Sequence, residues 1–348
     1  MYPLIVLRAS IVAFIQIAAI LANSVQLFSK HVVQHISRKW HLNINAFLSN
    51  HLLSMGAVLI ESSPNLSIYY AGDFKPPSEN AVVILNHISY VDWAWMYGFC
   101  KRNNRLGQMK FMLKEPIKYI PGFGWGMYLL EWLFLKRDWE KDKENVYASL
   151  NRYSRDYVKN REPLWLFVFP EGTRFTLKKL KESHEFAKKK DLPILESCLL
   201  PRVKGFVTVV QGLRKNCIHA IYDITLAYSG FPATSNGVTT TGIPSLKQLL
   251  LSTKKGRKVI LHVKRYALSE LPETDEGLTE WLMERWVEKD KKVTEYHDKG
   301  NSDFWGPLTP LPPIPLTSVL FSATFYVLLA MAYGYLVYLL GHWALRLL

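Results

Sequence analysis

Ala81-Val82-Val83-Ile84-Leu85, running directly into Asn86-His87-Ile88-Ser89-Tyr90-Val91-Asp92, is the stretch on which the fold turns. Five consecutive apolar residues are too few for a helix and fit a strand covered on both faces, as in a sheet held between helix layers. A helix is expected to follow over residues 90–101. The run at 164–169 (LWLFVF) repeats the pattern and leads into Pro170-Glu171-Gly172-Thr173-Arg174. Further strands are expected over 111–113, 132–135, 205–210, 218–228 and 258–263. Helices are expected over 138–159, where Val146, Leu150, Tyr153 and Tyr157 recur at helical spacing, and over 276–295. Residues 114–127, with Pro116, Pro121, Gly122, Gly124 and Gly126, read as an irregular loop at their start. Alternating strands and helices define an α/β class: a central mixed sheet with helices on both faces.

Outward from that domain the chain turns apolar. Residues 9–28 are long and apolar enough to cross a bilayer, although Gln16, Asn23 and Gln26 interrupt them. Arg8 precedes the stretch and Lys30, Arg38 and Lys39 follow it, an asymmetry that places the downstream domain in the cytosol. A shorter apolar run at 46–60 reads as a partner helix in or under the membrane. Residues 316–348 are apolar except around Gly334, Gly341, His342 and Arg346, and read as one tilted span or a span with an interfacial piece. The expected organisation is N-terminal anchoring helices at 1–62, an α/β domain at 63–300, a proline-rich linker at 301–315 and a C-terminal transmembrane segment at 316–348.

The bulk numbers agree with a lipid-facing protein. The chain has 348 residues, 49% of them hydrophobic, with eleven Trp, eighteen Tyr and a formal net charge of +14. That excess attracts a polyanion: nucleic acid, an anionic lipid surface or a phosphorylated substrate. The apolar termini favour lipid, and neither zinc-finger spacing nor an RNA-recognition aromatic motif is present. Cys100, Cys198 and Cys217 are scattered and odd in number, which points to a reducing compartment and not to a disulfide framework.

Chemistry concentrates where the two buried strands end, the edge at which α/β sheets build sites. A His just before a helix with an Asp in the helix's first turn can have one ring nitrogen held by the carboxylate, leaving the other to take a proton from an alcohol. The alternative is structural: Ser89-x-x-Asp92 also reads as an N-terminal capping box. At the second strand end, Gly172 permits a tight turn, and Thr173 and Arg174 present a hydroxyl and a guanidinium fork suited to phosphate. Lys136-Arg137 after a third strand, and Leu200-Pro201-Arg202 before a fourth, are weaker signals of the same kind. A thioester is already activated, so acyl transfer to an alcohol needs a base and electrostatic help without a covalent nucleophile. The chain accordingly has no G-x-S-x-G elbow, no Walker A loop and no third ligand near His87 and Asp92 that would make a metal site.

The order NHxxxxD, a cation after a strand, FPEGTR and a Pro-Arg segment, over roughly residues 68–228, resembles the glycerolipid acyltransferases, specifically the 1-acylglycerol-3-phosphate acyltransferases of the eukaryotic microsomal branch. The resemblance implies that His87 is the general base and Asp92 its orienting partner. It implies a lysophosphatidate phosphate bound by Glu171, Gly172, Thr173 and Arg174 with help from Arg137, and an acyl-donor site shaped around Pro201. Asn86 and Arg202 join the expected substrate-binding set. It further implies acyl-CoA as co-substrate, a lysophospholipid acceptor, a bilayer environment, no nucleic acid, and no cofactor or metal. Phe134-Leu135-Lys136-Arg137 departs from the family's usual F-I-x-R, and Asp92-Trp93 is also similar to the lysocardiolipin acyltransferases, so lysocardiolipin or lysophosphatidylinositol are the alternative acceptors. A lipid hydrolase and an inactive membrane scaffold are the remaining readings. The expected location is the endoplasmic reticulum membrane, with the outer mitochondrial membrane as the alternative.

Overall fold

A computed structural model describes residues 2–231, 243–299 and 305–347. Its centre is an eight-stranded mixed sheet in the order β4-β3-β5-β2-β6-β7-β1-β8. The strands are β1 (Leu66–Gly72), β2 (Ala81–Leu85), β3 (Met109–Lys114), β4 (Leu133–Leu135), β5 (Trp165–Val168), β6 (Ala220–Ser229), β7 (Arg257–Ala267) and β8 (Thr309–Pro310). The helices are α1 (Tyr2–Phe28), α2 (Gln34–Ile36), α3 (Arg38–Glu61), α4 (Asp92–Arg102), α5 (Phe123–Leu129), α6 (Trp139–Asn160), α7 (Leu177–Lys190), α8 (Val203–Arg214), α9 (Leu246–Leu251), α10 (Asp275–Lys299) and α11 (Leu316–Leu347). The sheet is parallel except where β6 meets β7 and β1 meets β8.

AVVIL is buried at every position, as a strand flanked by β5 and β6 and covered on both faces requires. Its odd and even side chains enter two different cores. Ala81, Val83 and Leu85 pack with α3 and α4, whereas Val82 and Ile84 pack with α6, α8 and α10. Helices therefore cover both faces.

One expected strand is a helix. Residues 205–210 lie inside α8, where Phe206, Val207, Val210 and Leu213 repeat at three- and four-residue spacing and are buried against the second core. The β-branched run VTVV reads as a strand only in a short window, and the longer period decides otherwise. The stretch at 114–127 is also more ordered than a loop. It holds a 3-10 turn, Glu115–Tyr119, and then α5. β1, α7 and α9 were not anticipated, and the proline-rich stretch contributes β8 as an edge pairing with β1. Residues 301–304 of the expected linker, residue 300 at the end of the expected α/β domain, and Leu348 lie outside the described residues.

The N-terminal helices are tied to the domain at both ends. Near the start of α1, Arg8 donates to the carbonyls of Leu59 and Ser62 at the end of α3. At the start of α3, Arg38 forks onto Glu131 (2.5 Å) and Asp156 (2.7 Å). Burial by itself would raise the Glu131 pKa, but the hydrogen bonds and charge of Arg38, with the charge of Lys110, outweigh it and hold the carboxyl down at about 2. Two of the polar interruptions of α1 are tied to the α/β domain: Gln16 Nε2 donates to Pro121 O at 2.8 Å and Asn23 Nδ2 to Gly122 O at 2.7 Å. α11 is one continuous helix of 32 residues, about 48 Å at 1.5 Å per residue. It rests on α3 through Tyr326, whose hydroxyl donates to Leu48 O at 2.9 Å, and its distal half is exposed and apolar. Among the described residues, two segments are long and apolar enough to cross a membrane: Pro3–Ile36 and Leu316–Leu340.

Candidate active site

β2, β5 and β6 run side by side in parallel, so their carboxyl ends deliver Asn86-His87, Phe169-Pro170 and Leu226 to Ser229 to one place. Asn86 is completely buried and spends its amide on the neighbouring strand. Its Nδ2 donates to Leu226 O (3.0 Å) and its Oδ1 accepts from Leu226 N (2.8 Å). That two-point clamp replaces strand pairing where β2 leaves the sheet.

His87 is fixed from three sides. Its Nδ1 lies 2.9 Å from Asp92 Oδ2, its backbone N–H donates to Glu171 Oε1 at 3.0 Å, and its carbonyl accepts from Phe175 N at 2.8 Å. The ring packs against the Phe169 ring at 4.2 Å. With Nδ1 committed to the carboxylate, Nε2 is the nitrogen left for a substrate.

Asp92 is fully buried yet well satisfied. Oδ2 accepts from Ser89 N (2.8 Å) as well as His87, and Oδ1 accepts from the Tyr228 hydroxyl (2.5 Å), which in turn accepts from Trp95 Nε1 (2.8 Å). Burial, then the charge on Asp92, pushes the Tyr228 phenol well above its usual range, so it remains a donor. The capping-box reading is half right. Asp92 does reach back to Ser89 N, but Ser89 Oγ donates to Pro244 O at 2.5 Å and does not cap the helix. One carboxylate serves both the turn and the histidine.

The FPEGTR turn is interlocked with this segment. Glu171 is buried, its carboxyl turned inward to His87 N, and burial pushes its pKa up to about 8. Expected among the phosphate-binding residues, it acts here as a brace for the histidine backbone. Gly172 adopts φ +67°, and a Cβ there would stand 2.9 Å from Arg202 Cδ. That close approach joins the FPEGTR turn to the Pro201-Arg202 segment, where Arg202 N also donates to Pro170 O at 2.7 Å. Thr173 is half-buried, Pro201 is buried, and the Arg174 guanidinium lies 3.4 Å from the centroid of the exposed Tyr90 ring.

Arg137 sits in a left-handed turn (φ 68°) at the end of β4, held because Asp142 accepts from Lys136 N (2.8 Å), Arg137 N (2.8 Å) and Asp138 N (3.2 Å). Three cations converge. The charge of Arg137, ahead of burial, lowers the Lys114 pKa, and burial followed by the charge of Arg202 lowers that of Arg137. Lys114, at the end of β3 and in register with Leu135, was not anticipated, and neither was Tyr228. Both lie at strand ends, but a lone Lys or Tyr there carries no local signal. Further back, the Asp290 carboxylate accepts from the amides of Glu196, Ser197 and Cys198, fixing the loop that leads to Pro201.

A base–carboxylate pair beside a set of fixed cations, at the carboxyl edge of an α/β sheet, is machinery for deprotonating a hydroxyl on an anionic molecule. Comparison with known proteins specifies the class. The Acyltransferase family profile matches residues 67–229, and the Acyltransferase C-terminus profile matches 249–324. Lysocardiolipin acyltransferase 1 of Mus musculus is 32% identical over 312 residues, covering 87% of this chain and 78% of its own length. Probable 1-acyl-sn-glycerol-3-phosphate acyltransferase 5 of Arabidopsis thaliana is 29% identical, covering 78% and 68% respectively. The crystal structure of the 1-acyl-sn-glycerophosphate acyltransferase PlsC from Thermotoga maritima aligns with 86% of this chain and 96% of its own, at 16% identity and a TM-score of 0.45. The chain belongs to the acyltransferase family and is an acyltransferase of lipid metabolism.

Proposed function

We propose that this enzyme transfers the acyl group of acyl-CoA to the sn-2 hydroxyl of lysophosphatidate, giving phosphatidate. The single observation that carries this reading is the His87–Asp92 pair at 2.9 Å, set at the same sheet edge as the cationic side chains. His87 Nε2 takes the proton of the acceptor hydroxyl, whose oxygen attacks the thioester carbonyl carbon. The carbon–sulfur bond then breaks, and the sulfur leaves as a thiol with the proton returned by the imidazolium. Asp92 holds the ring and balances its charge while it is protonated.

The acceptor phosphate is met by Arg174, Arg137, Lys114 and Arg202. Lys114 closes β3, and Arg137, Arg174 and Arg202 stand on the turns beyond the strands, where a guanidinium or ammonium can reach a headgroup while the acyl chains stay in the bilayer. An activated thioester asks for no metal or cofactor, and the residues around His87 supply base and charge by themselves. The excess of Lys30, Arg38 and Lys39 over Arg8 around α1 supports a cytosol-facing domain, and the membrane we propose for it is that of the endoplasmic reticulum.

The test is incorporation of labelled oleoyl-CoA into phosphatidate by membranes carrying the chain, beside a His87→Ala variant expressed equally. Product from the first and none from the second supports the assignment. Full activity in His87→Ala would overturn it. Lysocardiolipin is the competing acceptor, favoured by the vertebrate relatives whose names carry that substrate. Offering both acceptors at equal concentration decides between them.

A further inference from the structure

The connection between β3 and β4 presents large apolar side chains to the outside: Tyr119 is 67% exposed, Ile120 51%, Trp125 45% and Tyr128 50%. Four such residues within ten positions of a loop and a short helix are not explained by the core. What they sit on is informative. Gln16 and Asn23, seven residues apart on one face of α1, donate to the carbonyls of Pro121 and Gly122, so backbone that leaves the helical pattern is satisfied by side chains and does not require water. The fit is close. A Cβ on Gly122, already at φ +78°, would stand 2.7 Å from Gln16 Nε2, and one on Gly126 3.0 Å from Asn23 Oδ1.

The rest of α1 shows which way this segment faces. At about 100° per residue, the buried Ile15, Ala18, Ala19 and Ala22 define the side packed on α3. Gln16 and Asn23 lie on the adjoining side, and the exposed Ile20 and Leu27 follow within about 50° of them. The exposed arc of α1 and the 119–128 segment are therefore one continuous apolar surface. Its edge is marked by cations on aromatic rings, Lys118 over Tyr119 at 5.0 Å and Lys30 over Tyr128 at 4.5 Å, the pairing expected at headgroup depth.

We propose that residues 119–128 insert into the cytosolic leaflet as a membrane contact separate from the terminal helices, with Ile120 and Trp125 among the acyl chains and Tyr119 and Tyr128 at the headgroups. Both ends of the segment run into the site: Lys114 precedes it and Arg137 follows β4. A lysophospholipid leaving the leaflet beside Trp125 thus meets the cations without crossing water. This second half rests on the lysolipid-acceptor reading; the insertion itself does not.

The native cysteines are all buried, so single cysteines at Ile120, Trp125 and, as a control, the exposed Val158 of α6 can carry an environment-sensitive fluorophore in the full chain. In phosphatidylcholine–phosphatidylserine vesicles, lipids brominated on the acyl chain should quench the labels at 120 and 125 several-fold more than the label at 158. Quenching no greater than at 158 would overturn insertion, as would quenching by a headgroup quencher alone. Shielding of both labels from lipid and aqueous quenchers alike, as under a second copy of the chain, would also overturn it. For the entry route, Trp125→Glu should raise KM for a long-chain acceptor about tenfold and leave turnover of a short-chain, water-soluble acceptor unchanged. An equal loss on both acceptors would remove the route while leaving the quenching result standing. No activity on lysophosphatidate by the unaltered chain would count against the proposed function alone.

Discussion

Tyr228 and His87 hold opposite oxygens of the same carboxylate: the phenol donates to Asp92 Oδ1 at 2.5 Å while the imidazole nitrogen meets Oδ2 at 2.9 Å. The tyrosine comes from β6 and the histidine from the end of β2, so the charge that steadies the base is shared between two strands. A fully buried carboxylate needs such partners, because each unmet lone pair there would carry its own desolvation cost.

Tyr228→Phe tests that sharing. It removes a donor from a charged acceptor and should lower stability by about 2 kcal/mol. With the carboxylate no longer fixed from its second side, the imidazole is less firmly oriented, and kcat should fall several-fold while both KM values stay near those of the unaltered chain. Unchanged kcat with lowered stability would make Tyr228 a purely structural residue.

In Asp92→Asn an amide oxygen at the Oδ2 position still accepts from Ser89 N and His87 Nδ1, but Tyr228 loses its acceptor and the imidazolium loses its counter-charge. Turnover should drop by on the order of 10²-fold or more, the usual share of a general base. Thermal unfolding of the detergent-solubilised protein should report folding retained. Activity within a few-fold of the unaltered chain would separate the base from its carboxylate.

Glu171 carries a pH dependence whose sign can be worked out. Its carboxyl is near 4.5 in an unfolded chain and about 8 when folded, because burial disfavours the ionised form. The unfolded state therefore gives up its proton first, and stability falls as pH rises from about 4.5 to about 8, levelling beyond. Glu171→Gln should flatten that slope and keep the acceptor for His87 N. Unfolding temperatures between pH 5 and 8.5, compared for the two proteins, check it.

Gly172→Ala places a methyl group at φ +67° and against Arg202 Cδ at 2.9 Å. The backbone cost is about 1–2 kcal/mol, and Arg202 must swing away. Acceptor KM should rise more than acyl-CoA KM. A matched change in both would mean that the turn as a whole had shifted.

Asp142→Ala removes the acceptor of three consecutive amides and frees the left-handed turn at Arg137. Its effect should match that of Arg137→Ala, roughly a tenfold rise in acceptor KM, and the double variant should add little to either. Independent, additive losses would show that Asp142 does not act through the arginine.

The contact between His87 and Asp92 was legible because they are five residues apart and the strand before them is five apolar residues long. Short range also made the α6 and α10 patterns readable. The failure at 205–210 has the same origin: Val207, Thr208, Val209 and Val210 have strand-like side chains, and only the neighbours Phe206 and Leu213, buried on one face, disclose the helix. Gln16 and Asn23 looked like flaws in an apolar stretch because their acceptors lie about a hundred residues away.

By itself the sequence determined which strands are buried, where two of them end in reactive side chains, and that the flanks are apolar enough for lipid. These follow from local periodicity, turn chemistry and composition. Only the tertiary structure decided that Tyr228 joins Asp92, that Glu171 turns inward, that Arg137 comes within electrostatic reach of both Lys114 and Arg202, and that the 119–128 segment rests on α1. Each of these depends on strand order and helix docking, which bring together residues tens to a hundred or more positions apart through packing free energy that no single window of the chain contains.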